Sequence, residues 1–193
     1  MWEMIPYMNE LTRHADERLA ERLKALRGEK GLSLQDLAAR SGISRATLSR
    51  IENGEVSPTA ETLGALAAAY AMTISRLLAP AERPFAPLVA REQQSAWHDP
   101  RHGFARHIVS PPSGALSVEV IRGEIAPHQS IGYDKPPIVG QEHHLVMLSG
   151  ALTVTVEGAT HRLRPGDCLR YRLHGPSRFE TGRSAASYLI VLA

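Results

Sequence analysis

The stretch SLQDLAARSGISRATLSRIENG, residues 33–54, decides the reading of this chain. Ser33 can cap a helix through its hydroxyl. Asp36, three residues on, suits both a reciprocal cap and the positive helix end. Together they predict a helix over residues 34–40, and Gly42 supplies the turn that follows. Ser44 then caps a second helix over residues 45–52, which Gly54 ends in a left-handed conformation. Two short helices across a tight glycine turn are the pattern of a helix-turn-helix, whose second helix can enter the DNA major groove.

Outward from this unit the helical pattern continues. Ala15, Leu19, Leu23 and Leu26 follow helical spacing, with Gly28 and Gly31 near the helix end. Thr59 follows Pro58 and opens a helix through Tyr70 whose Leu63 and Leu66 point inward. Residues 74–78 form a last short helix. The next segment, PAERPFAPLVAREQQSAWHDP, carries four prolines and reads as a linker. From about Phe104 the pattern changes. LSVEVIRGEI, EHHLVMLSG, ALTVTVEG, THRLRPGD, CLRYRLHG and SYLIVLA are short strand-like runs punctuated by Gly, Pro and Asp. Their spacing predicts an antiparallel barrel or sandwich. The expected division is a helix-turn-helix domain at 1–79, a linker at 80–102 and a β domain at 103–193.

The bulk numbers bound the function. With 193 residues, 43% hydrophobic and 22% charged, the chain can build packed cores and is not globally disordered. The net charge of +2 is not the basic excess of a non-specific nucleic-acid coat. Residues 1–79 carry ten basic and ten acidic side chains, so positive charge at DNA must be local. The single cysteine, Cys168, cannot form an internal disulfide, which fits a reducing cytoplasm. It is expected to be a small buried hydrophobe. No apolar run approaches the ~18–20 residues needed to cross a bilayer, and the first ten residues lack a secretory pattern. The expected location is the cytoplasm, with no membrane partner.

On the second helix, Ser44, Arg45, Ala46, Thr47, Ser49 and Arg50 are the candidate DNA-facing residues. Arg45 can fork onto guanine, Thr47 and Ser49 can bond base or phosphate, and Ala46 can touch a thymine methyl. Leu48 and Ile51 fall on the opposite face. Arg27, Lys30 and Arg40 are candidate phosphate contacts on neighbouring elements.

LSLQDLAARSGISRATLSRIENG followed by SPTAETLGALAAAY resembles the helix-turn-helix of the XRE family, kin of the λ-type phage repressors. The block IENG-x-x-x-P-T-x-x-T-L is its most specific piece. The resemblance implies a five-helix bundle, DNA facing Ser44, Arg45, Thr47, Ser49 and Arg50, and a backbone-phosphate contact near Asn53. Many members carry Gln where this chain has Leu34, and Gln35 is the candidate substitute. One such unit reads few base pairs, so a homodimer on a two-half-site operator is expected.

EHHLVMLSGALTVTVEGATHRLRPGDCLRYRLHGPSRFET resembles a small cupin, with its L-x-G, V-x-V-x-G, L-x-P-G-D and P-x-R-F pieces in order. XRE helices followed by a cupin form a class of bacterial transcription factors, which implies a barrel that senses a small molecule. Cupins usually hold a divalent ion through His-x-His, a Glu and a later His. Anchored on Gly150, those positions fall on Pro137 and Val139 (or Pro136 and Ile138), His143 and Ser177. A single imidazole does not make a site needing three or four ligands, so no metal or other cofactor is expected. The candidate effector pocket is His143, Met147, Tyr133, Tyr171, Ser177 and Phe179. Adjacent His143 and His144 take opposite faces of a strand, as do Tyr171 and its neighbours Arg170 and Arg172; the ligand position that the resemblance implies puts His143 inward. Two alternatives are a cupin metalloenzyme like the non-haem iron epoxidases and a barrel that serves only dimerisation.

Overall fold

The computed structural model describes residues 5–78, 85–99, 101–113 and 116–193, with side-chain environments from residue 17 onward. Ala15 and the start of the expected linker lie outside those described environments. Helices come first: α1 (Ile5–Glu29), α2 (Leu34–Ser41), α3 (Arg45–Glu52), α4 (Ala60–Tyr70) and α5 (Ile74–Leu78). Ten strands follow: β1 (Ala96–Asp99), β2 (Phe104–Ser110), β3 (Glu119–Ile125), β4 (Ser130–Tyr133), β5 (Gln141–Gly150), β6 (Leu152–Val156), β7 (Ala159–Leu163), β8 (Cys168–Leu173), β9 (Ser177–Glu180) and β10 (Ala186–Leu192). No helix among the described residues is long and apolar enough to cross a membrane.

Local chemistry accounts for the helix ends. The Asp36 amide donates to Ser33 Oγ at 3.1 Å, and the Ser33 amide donates back to Asp36 Oδ2 at 2.9 Å. This reciprocal cap satisfies two otherwise orphaned donors. The Thr47 amide donates to Ser44 Oγ at 3.1 Å, and Thr62 to Thr59 Oγ1 at 3.2 Å. Each such cap stabilises by about 1 kcal/mol relative to alanine. Gly42 sits at φ 74°, and its amide closes on Ala38 O at 2.9 Å. A Cβ would strain that left-handed turn.

The described chain forms two compact units, Met1–Pro58 and Thr59–Ala193. In the first, Leu19, Leu23, Leu26, Leu37, Leu48 and Ile51 are buried. In the second, ten strands make two antiparallel sheets: β1-β2-β3-β10-β5-β8 and β4-β9-β6-β7. Their inward rows share one core, in which Phe179 of β9 stacks on Tyr188 of β10 at 6.0 Å. Gly150 permits the β5–β6 turn: at φ 79°, its Cβ would fall 1.8 Å from Ala185 O.

Helices α4 and α5 group with the strands, a different boundary from residue 79. Three contacts explain it. The Ala60 amide at the start of α4 donates to Asp99 Oδ2 of β1 at 2.8 Å. The Tyr133 ring of β4 lies over Gly64, where a Cβ would stand 2.5 Å from Cδ1. Thr73 Oγ1, just before α5, donates to the Glu119 carboxylate of β3 at 3.0 and 3.1 Å. Residues 96–99, expected within a linker, form β1 and pair with β2 in full register.

Candidate functional site

Helix α3 presents two faces. Leu48, Ile51 and Glu52 are buried, while Arg45, Ala46, Thr47 and Arg50 are exposed and Ser49 is half-exposed. Positions 45, 46, 49, 50 and 53 recur at helical spacing, so one face carries two guanidinium groups, a hydroxyl and an amide. Arg45 makes no ion pair among the described residues. Arg50 Nε lies 3.5 Å from Glu55 Oε2 between two side chains more than half exposed, a loose pair that DNA can displace. Asn53 Nδ2 donates to Glu55 Oε1 at 3.3 Å. Ser44 and Thr47 share a 2.8 Å hydroxyl contact at the helix start, so their side chains are partly committed to the cap. Gln35 is exposed in the first turn of α2, while Leu34 beside it is half-buried. Lys30 is exposed just after α1.

Arg27 requires a correction as a phosphate contact. Its Nε donates to Glu52 Oε1 at 2.8 Å, its Nη2 to Oε2 at 2.9 Å and its Nη1 to Leu32 O at 2.9 Å. The two side chains are 20% and 6% exposed. The bidentate fork satisfies a carboxylate that would otherwise be buried uncompensated. Arg27 therefore ties α1 to the end of α3, and sequence spacing did not reveal a partner 25 residues away.

In the second unit, strand β5 alternates His143, Leu145 and Met147 inward. His143 pairs in register with Tyr171 of β8, and their Nδ1 and Oη are 3.2 Å apart. His144 faces outward onto Glu142 at 2.8 Å. Arg170 and Arg172 are exposed on the face opposite Tyr171. Ser177 and Phe179 are buried on β9, and Tyr133 packs edge-on to Phe179 at 6.1 Å. His128 and His174 are exposed. Cys168 is exposed as well, a correction to the buried thiol expected: it shares the parity of Arg170 and Arg172 and points outward with them.

Burial disfavours charge throughout this interior. It lowers the His143 pKa to about 4, with the positive charge of Arg106 pushing the same way. Burial also raises the phenols of Tyr133, Tyr171 and Tyr188 above their usual range. His143 is therefore neutral at pH 7 and the phenols keep their protons. The unfolded chain binds a proton at His143 near its ordinary pKa of about 6.5, while the folded chain resists until about pH 4. The stability it contributes is thus fully present above pH ~6.5 and lost as pH falls toward 4. Thermal melts from pH 7.5 to 4.5 are expected to show a smaller acid loss in His143→Phe than in the parent. Equal slopes would contradict this.

From the sequence, Arg106 of β2, like Tyr133, His128 and His107, could line a pocket or decorate an edge. It shares the inward parity of buried Phe104 and Ile108, lies opposite Gly123 in register and bonds the Tyr133 side chain. Its alternation with Phe104 and Ile108 was the available signal. Glu61, Asp99 and His102 also bring ligand atoms within 4.8 Å of one another. There Asp99 already accepts from the Ala60, Arg101 and His102 amides, with His102 Nδ1 at 3.0 Å. Burial raises its pKa, but these hydrogen bonds outweigh that and hold it below the usual carboxylate range. The cluster fastens β1 to α4.

The helix-turn-helix family HTH_3 matches residues 23–77. The chain is 31% identical over 160 residues to the HTH-type transcriptional regulator SutR of Escherichia coli K12, spanning 79% of this chain and 81% of that one. It is 28% identical over 154 residues to the HTH-type transcriptional regulator PuuR of the same organism, spanning 79% and 82%. A solved HTH_3 family transcriptional regulator from Vibrio cholerae shares the fold, with a TM-score of 0.78 over 94% of this chain and 98% of that one at 24% identity. With the capped α2–α3 unit in place and a regulator aligned over most of both chains, the protein belongs to the XRE-type helix-turn-helix transcriptional regulators and is a DNA-binding regulator that carries a β domain of two antiparallel sheets.

Proposed function

We propose that this regulator is a cytoplasmic homodimer whose barrel senses a small molecule and transmits its occupancy to the DNA-reading helices. Residues 1–79 read an operator half-site through Arg45, Ala46, Thr47, Ser49 and Arg50. Ser44 caps that helix, and Gln35, Lys30 and Asn53 contact backbone phosphate. Residues 103–193 supply the effector pocket and the pairing of two copies. A single unit reads too few base pairs for useful specificity, and two units one helical turn apart solve that.

The observation that carries the sensing half is Tyr133. Its hydroxyl side reaches Arg106 among the buried polar groups of the barrel, while its ring lies against Gly64 of α4. Helix α4 lies inside the segment matched by the helix-turn-helix family. A ligand that moves Tyr133 therefore has a direct mechanical path into that segment, the differential contact that allostery requires.

Footprinting the full chain on its own upstream DNA, with and without fractionated metabolites, tests this reading. Protection of two half-sites that a fraction weakens or strengthens is expected. Protection that no fraction alters would overturn the sensing half. Gly64→Ala places a methyl against the Tyr133 ring, so it is expected to shift the effector concentration for half-response by about tenfold or more. An unchanged response would remove Tyr133 as the transmitter.

An enzymatic role is not proposed. The positions at which the cupin resemblance would put metal ligands are here Pro137 and Val139 (or Pro136 and Ile138), His143 and Ser177. The one imidazole among them rests its Nδ1 on Tyr171. A facial triad needs two imidazoles and a carboxylate converging on one point.

A further inference from the structure

We propose that the barrel takes a small organic anion on an apolar body, its carboxylate held between the Arg106 guanidinium and the His143 Nε2–H. The proposal rests on the reading of the barrel as an effector site and narrows it to a ligand class.

Two groups in one interior carry the inference: an imidazole nitrogen without a hydrogen-bond partner and a guanidinium without a carboxylate among the described residues. His143 is 8% exposed, and its Nε2 is buried without a partner. A phenol is the stronger donor and an imidazole nitrogen the stronger acceptor, so Tyr171 Oη–H donates to His143 Nδ1. That fixes the proton of the neutral ring on Nε2 and leaves a buried N–H with no acceptor. Leaving such a donor unsatisfied is costly, and native proteins rarely do so without a reason.

The second group is Arg106. Its guanidinium is a fixed, planar cation. Among the described residues it makes no ion pair, although its charge reaches His143, Tyr133, Tyr171 and Tyr188. A half-buried cation that bonds a neutral phenol, with no carboxylate paired to it among the described residues, suits an anion from outside. The same interior holds aromatic rings: Phe179 stacks on Tyr188, and Arg106 lies 5.8 Å from the Phe104 ring centroid. Aromatic neighbours suit a flat or aliphatic body behind the carboxylate. A cationic ligand would face Arg106 unshielded, and a neutral one would leave its charge unanswered.

Calorimetry and thermal melting of the full chain test the proposal with matched probes: benzoate, benzamide and benzylamine, then butyrate, butyramide and butylamine. One or both carboxylates are expected to bind and to raise the melting midpoint, while their amide and amine counterparts do not. Arg106→Gln is expected to weaken carboxylate binding by about tenfold or more, and Arg106→Lys by less, because it keeps the charge and loses the fork. His143→Phe removes the Nε2–H and should weaken binding independently, which covers an Arg106→Gln chain that fails to fold. Equal or tighter binding of an amide or amine would overturn the proposal. So would carboxylate binding undiminished in these variants, or no carboxylate binding at all. Operator release by metabolite fractions, run in parallel, separates the two failures. Release without carboxylate binding keeps the sensor and removes the anion.

Discussion

Replacing Glu52 by alanine is expected to destabilise the α1–α3 unit by about 2–4 kcal/mol, a large share of a small domain's stability. The substitution leaves the Arg27 guanidinium largely buried, with its Leu32 carbonyl bond kept and its bidentate partner gone. The one-fifth exposure of Arg27 lets water recover part of the loss, so the lower end of that range applies if the side chain can swing out. Removing both charges at once, as Arg27→Met with Glu52→Leu, should cost much less than either truncation alone, because no unpaired charge is left behind. Denaturant melts of the four proteins check this. A Glu52→Ala chain as stable as the parent would show that the pair is ornamental. The same logic changes what Arg27→Ala should do at DNA: it should lower stability while leaving the salt dependence of the remaining folded protein unaltered. Lys30→Ala is the variant expected to reduce the salt slope by about one phosphate's share.

Arg45→Ala is expected to cost about 1–3 kcal/mol per half-site, counted twice on a two-half-site operator, and to relax preference at one base pair in each. Arg45 stands in the first turn of α3, the part of a recognition helix that meets base edges. It is exposed, and nothing among the described residues competes for its donors. Ser44 beneath it is pinned by the Thr47 amide, which fixes where the helix begins and so where Arg45 points. Arg50 should matter less per residue, since Glu55 already draws on its charge. Titrated footprints on the parent operator and on single-base variants separate the outcomes. Uniform weakening with unchanged base preference would mean that Arg45 holds phosphate and that the docking register differs. An intact footprint would remove it from the interface.

How much of this was legible follows from the range of each interaction. The caps at Ser33, Ser44 and Thr59, and the turn at Gly42, depend on residues within four positions of one another, so the helix boundaries could be read directly. Strand alternation put His143 and His144, and Tyr171 and its flanking arginines, on opposite faces, while the choice of His143 as the inward one came from the ligand position that the cupin resemblance implies. The four-residue strands β1, β4 and β9 were too short to show a period, and β1 lay among prolines that argued for a linker. Cys168 was misjudged because residue type was weighed above parity, although its neighbours Arg170 and Arg172 shared its phase. Arg27 with Glu52, Ala60 with Asp99, and Thr73 with Glu119 are separated by 25, 39 and 46 residues. Nothing local announces such pairs. They are also the contacts that turn a surface arginine into a tie and fasten α4 and α5 to the sheets.

The place of β10 in the six-stranded sheet bears on how the protein comes into being. It is the last of the ten strands in sequence, yet it lies in the middle, hydrogen-bonded to β3 on one side and β5 on the other. During synthesis the α1–α3 unit can fold on contacts close in sequence, whereas the β1-β2-β3 edge and the β5-β8 edge must each wait for the same late segment. Until it emerges, both edges expose unpaired backbone and apolar rows, the condition in which strands join neighbouring chains instead. A ribosome releasing this chain would therefore deliver a finished reading head well before a finished barrel, and the nascent β edges are where a chaperone would be needed.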